Sequence, residues 1–210
     1  MKKMLALLCT ALLLAGVLTG CGGSLSRPQK TANTFFHAVQ TLDVDAINAC
    51  GENGSLIEWD MVQKTDGGDA QQLTTFLRAL AAKMTYTITD TEITDTQATV
   101  RATVQYADAA MLVKSTMTDV MAQMMMSLFS DEAEIDGQAQ FYDTLLQNVE
   151  TESPTMQAVD VALPMVKTDD GWRIREMPED LFPVLTGNTI EALQEAAETF
   201  SGVAEAEIEN

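Results

Sequence analysis

The chain predicts an α+β fold: a curved antiparallel sheet packed on N-terminal helices, with a helical insertion at about 108–150. Apolar residues between 29 and 82 recur at helical spacing, while those at 84–106 and 156–175 recur at every second position. Between the two strand regions the helical spacing returns. A period of 3.6 marks a helix with one buried face, and a period of two marks a strand with one buried face.

The first twenty residues read as an address. Lys2 and Lys3 precede an apolar run from Met4 to Leu18, shorter than the about 20 residues that cross a bilayer. Small residues lead to Cys21. This is the layout of a cleaved secretory signal. Leu18, Thr19, Gly20 and Cys21 resemble the lipobox of bacterial lipoproteins. That resemblance implies cleavage before Cys21 and a diacylglyceryl thioether on its sulfur. The competing reading is an uncleaved signal anchor with an incidental Cys21. Two acyl chains hold a protein stably, where one gives only reversible binding. The expected location is therefore the extracytoplasmic side of the cell membrane, with Cys21 as the lipid attachment site.

Residues 21–28 read as a tether, 29–200 as one domain and 201–210 as an acidic tail. Ala32, Phe35, Phe36 and Val39 form a helical stripe. Asp43 fits the N-cap of a second helix, with Ala46, Ile47 and Cys50 inward. "SLIEWDMVQ" reads as one or two helical turns. In "GDAQQLTTFLRALAAK", Asp69 is the expected cap, and Leu73, Phe76, Leu77 and Leu80 form the stripe.

Met84, Tyr86 and Ile88 then alternate with threonines, and Ala98, Val100, Ala102, Val104 and Tyr106 share one strand face. "TDTQ" is the turn of this hairpin. Ala110, Val113, Met117, Val120, Met121, Met124 and Leu128 return to helical spacing, and "AQFYDTLLQNV" follows as a second helix of a helical hairpin. Val159, Val161, Leu163 and Met165 mark another strand, with Pro164 pointing to an edge or a bulge. Asp170-Gly171 reads as the next turn, with Trp172 and Ile174 on one face. A last amphipathic helix carries Leu193, Ala196, Ala197 and Phe200 inward.

This order, with "FFHAVQTLDVDAINAC" and "LPMVKTDDGWRIRE", resembles the NTF2-like (cystatin-like) superfold, and more narrowly the small lipoproteins of Gram-positive bacteria that carry such a domain. The resemblance implies a sheet wrapped around helices. In its enzymes a carboxylate and a hydrogen-bond donor stand inside the cone. Residues 108–150 depart from a minimal domain of this kind.

Net charge narrows the partners. The chain carries 12 basic and 31 acidic side chains, a net −19. Removing residues 1–20 takes Lys2 and Lys3 and no acid, leaving 10 − 31 = −21. Such a surface repels phosphate backbones and anionic lipid, so no nucleic-acid partner is expected. Of three cysteines, Cys9 leaves with the signal and Cys21 takes lipid. Cys50 is then alone, without an intrachain disulfide, and reads as a small buried hydrophobe.

Chemistry-bearing groups are sparse. His37 is the single histidine and lies about 200° from Phe35 around the helix, facing solvent. Met117, Met121 and Met124 lie at i, i+4 and i+7. Thioethers suit Cu(I), but they also fill cores and adaptable binding surfaces. The bland reading is core; the functional one is a ligand groove of Met117, Met121, Met124, Tyr86 and Tyr106. "DEAEIDG" lacks calcium-loop spacing and reads as a solvated loop. Asp160 with Tyr86 or Tyr106 could transfer protons if buried together, although Asp160 falls on the opposite pleat phase from Val159 and Val161. The expectation is a non-enzymatic domain without cofactor or metal, binding a small molecule, peptide or envelope protein. The alternative is an NTF2-like pocket enzyme of proton-transfer or hydrolytic chemistry.

Overall fold

In the computed structural model, the described residues are 27–58, 68–127, 137–151 and 154–195. The signal, Cys21, residues 131–136 of "DEAEIDG" and the acidic tail lie outside them. The order is α1 (Arg27–Thr41), α2 (Val44–Ala49), α3 (Gly68–Ala81), β1 (Thr85–Thr94), β2 (Gln97–Asp108), α4 (Ala110–Ser127), α5 (Gly137–Thr151), β3 (Thr155–Thr168), β4 (Gly171–Ile174), a 3-10 turn (Glu179–Leu181) and α6 (Phe182–Thr186). Helical residues 189–195 follow. The fold is α+β, with one antiparallel sheet in the order β1-β2-β3-β4.

Helix α1 begins at Arg27, inside the expected tether, with Pro28 in the first turn where its missing N–H costs nothing. Its stripe Ala32, Phe35, Phe36 and Val39 is fully buried. The helix lies on β1, β2 and β4, and Thr31 Oγ1 donates to the Trp172 carbonyl at 3.1 Å. Val100, Val104, Leu163 and Ile174 of the sheet share one buried core with it. The inner face is therefore filled by side chains.

Both sheet edges are handled. Ile174 N–H donates to the Cys50 carbonyl at 2.9 Å and Glu52 N–H donates to the Ile174 carbonyl at 2.8 Å, so residues 50–52 cover β4. Strand β1 shifts register between Ile88 and Asp90. Such a bulge, with the charges of Asp90 and Glu92 beside it, discourages pairing with another chain.

Several local expectations change. Helix α3 starts at Gly68, one residue before the expected Asp69 cap. Residues 55–58 are not helical, and the rest of "SLIEWDMVQ" lies outside the described residues. The second turn is Asp169-Asp170, with Gly171 opening β4 at φ 128°. Pro164 sits in an inner strand with continuous β2–β3 register, so no bulge forms there. Its carbonyl accepts from Arg175 N–H at 2.9 Å. Its nitrogen faces the same side, beyond the end of β4, where no donor is required.

The helices at 108–150 are integral to the domain. Helix α5 lies against both α3 and α4, and Phe141, Leu145 and Val149 are buried in the common core.

Candidate functional site

A cleft of about 1120 Å³ opens between α1, α2 and α3, with Tyr86 of β1 in its lining. Its shape follows from how α1 stops. Leu42 adopts φ 50°; Leu42 N–H donates to Val39 and Asp43 N–H to Ala38, at 3.0 and 2.9 Å. This is a Schellman closure, which favours glycine at the left-handed position. Leucine holds it because the side chain is buried. Asp43 then turns the chain into α2.

Tyr86 stacks on Phe36 with ring centroids 4.6 Å apart, and its hydroxyl donates to Asn33 Oδ1 at 3.0 Å. Burial raises the pKa of that phenol. His37, exposed as expected, Asp45 and Arg78 stand around the opening. The cleft therefore offers an aromatic wall and charges of both signs. Among the described residues, no three of His, Cys, Asp and Glu gather as a metal would require.

The second feature is a thioether surface. Leu112, Val113, Thr116 and Val120 form the buried seam of α4, and Asn148 Nδ2 donates to Thr116 Oγ1 at 3.2 Å. Met117 is half-buried on its flank. The core reading of the next methionines fails: Met121, Met124, Met125 and Met126 are 36%, 42%, 63% and 67% exposed. The cause is geometric. The apolar arc of α4 is wider than the face it shares with α5, and α5 is its main neighbour.

The five residues expected to share a groove are not brought together in one cleft. Tyr86 lines the large cleft, while Met117, Met121 and Met124 do not. Tyr106 is buried on the inner face of β2, with Asn188 Nδ2 at 3.5 Å from its hydroxyl. Asp160 faces water on the other side of the sheet, so no buried Asp160–Tyr106 pair exists. Cys50 is buried, and desolvation raises its thiol pKa while Arg173 acts in the opposite sense. Asn33, Asp45 and Arg78 escaped sequence reasoning. They come from separate helices, and nothing local distinguishes them from ordinary surface residues.

No family model matches the chain, and no curated protein does. Among solved structures, a candidate lipoprotein, YcdA, from Bacillus subtilis is similar at 15% identity and TM-score 0.42, over 78% of this chain. The chain spans 46% of that protein's length. Among the described residues, no helix is long and apolar enough to cross a membrane.

Proposed function

We propose that this protein is an extracytoplasmic lipoprotein, anchored through Cys21, whose α+β domain docks a cationic amphipathic helix on the methionine face of α4. The observation that carries the docking reading is the exposure of Met121, Met124, Met125 and Met126 beside a core whose side chains are buried. Thioethers are flexible and polarisable, so they accept varied apolar side chains. A net charge of 10 − 31 = −21 after cleavage favours a basic partner and speeds its encounter. The anchor reading is supported by Lys2, Lys3, the apolar run and Leu18-Thr19-Gly20-Cys21.

Two measurements test this. Binding of a basic amphipathic peptide, followed by calorimetry, should weaken at least about tenfold in Met121→Glu/Met125→Glu, about 1.4 kcal/mol. Equal affinity in the variant removes the docking reading. Labelled palmitate should enter the wild type and not Cys21→Ser; equal labelling removes the anchor. A second reading places a small molecule in the cleft of His37, Arg78 and Tyr86, favoured by its volume and aromatic wall. Pocket chemistry on an NTF2-like scaffold would use the same groups. A ligand lost in Arg78→Ala, but kept in Met121→Glu/Met125→Glu, would select the cleft.

A further inference from the structure

The described sulfur atoms divide by exposure. Met84 and Met165 are 2% and 1% exposed, against 36–73% for Met111, Met121, Met124, Met125 and Met126 of α4 and 47% for Met156 of β3. Cys50, the thiol that would ordinarily compete for oxidant, is 5% exposed and free of a disulfide. A shielded, protonated thiol is a poor reactant. Two-electron oxidants arriving from solvent therefore meet the thioethers of α4 and that of Met156 on β3 before Cys50, Met84 or Met165.

Met124 differs from its neighbours in what its sulfur touches. A Cβ placed on Gly137, the first residue of α5, would lie 2.5 Å from Met124 Sδ. The thioether thus rests on the Gly137 backbone, where the two helices of the hairpin approach. Beside it, Gln140 Nε2 donates to Gln123 Oε1. One turn further in along each helix, Val120 and Phe141 are buried. Glycine at 137 is what allows so close a seat.

We propose that Met124 is a sulfoxidation site, and that its modification by hypohalous acid opens the far end of the α4–α5 hairpin. The step is oxygen transfer: thioether plus HOCl gives sulfoxide plus H⁺ and Cl⁻. Sulfur loses two electrons, chlorine gains them, and the new S–O bond replaces a sulfur lone pair. A sulfoxide is larger, polar and in need of solvation. A methyl group on Gly137 would not fit beside Met124 Sδ where the sulfur now rests, so an oxygen added on that side displaces the sulfur toward water and uncovers the hairpin. Met125 and Met126 oxidise too, but there the change adds polarity to a surface already in water. Methionine sulfoxide reductases reverse the step, which makes the site a switch rather than only a lesion. The hairpin's own contacts carry this proposal, so it does not depend on the docking partner.

The full-length chain in detergent, titrated with hypochlorous acid, provides the test. Peptide mass mapping should show Met121, Met124, Met125 and Met126 oxidised at about tenfold lower dose than Met84 and Met165. Amide exchange in 137–143 should rise about tenfold with the Met124 sulfoxide. Met124→Leu keeps the apolar bulk and should hold exchange at the unoxidised level after the same dose. Met125→Leu/Met126→Leu should open as the wild type does. Equal oxidation of buried and exposed methionines, or opening of Met124→Leu to the wild-type extent, overturns the proposal.

Discussion

Asp43 ends one helix and begins the next: its N–H donates to the Ala38 carbonyl at 2.9 Å, and its Oδ1 accepts from Ala46 N–H at 3.0 Å. The first bond is backbone and survives mutation; the second is the side-chain cap of α2. Asp43→Ala should therefore cost about 1 kcal/mol, and Asp43→Asn or Asp43→Ser much less. Urea unfolding of the three variants measures this. A loss in Asp43→Asn as large as in Asp43→Ala would show that charge, not capping, matters.

Alkaline pH should destabilise the fold through two groups. Burial raises the pKa of Cys50 above its ordinary 9.0 and that of Tyr86 above its ordinary 10.0. Each proton is held to higher pH in the folded chain than in the unfolded one. Below about pH 8 both states are protonated, so neither group makes stability depend on pH. From about pH 8 upward the unfolded state releases its protons first, and stability falls as pH rises. Cys50→Ala should flatten the first part of that fall, seen in melting temperatures between pH 8 and 11. An unchanged slope would assign the alkaline loss elsewhere.

Thr103 Oγ1 donates to Asp160 Oδ1 at 2.6 Å across the β2–β3 ladder, with both side chains on the outer face. An exposed cross-strand pair contributes roughly 0.2–1 kcal/mol. Asp160→Ala should cost no more than that and leave the near-UV dichroism unchanged. A loss of several kcal/mol would mean that the carboxylate is buried after all.

What was legible in the sequence is what the chain decides locally. The period-two runs at 84–106 and 156–175 became β1 to β4, and Asp43 capped the helix it was expected to cap. The inward stripe of α1 was equally plain, because α1 meets the sheet along its length. The same reasoning misplaced Met121 and Met124. Periodicity shows which side chains share a face, not whether a neighbour reaches that face, and α5 leaves part of it bare. The cleft was illegible for a related reason. Asn33, Asp45, Arg78 and Tyr86 come from four elements, and only their assembly places them around one opening.

Helices α4 and α5 looked like an insertion, and the core decides whether they can be treated as one. Leu145 is fully buried, and α5 lies between α3 and α4. Helix α3 supplies Phe76, Leu77 and Leu80 to the same cluster. Leu145→Ala should therefore cost about 2–5 kcal/mol, the range for removing a buried leucine and leaving a cavity. The loss should appear in one cooperative transition reported equally by Trp172 of β4, read in a Trp59→Phe background, and by far-UV dichroism. If the hairpin were an appended module, the variant would instead show an early partial transition that leaves Trp172 fluorescence unchanged. That outcome would separate the hairpin from the domain core.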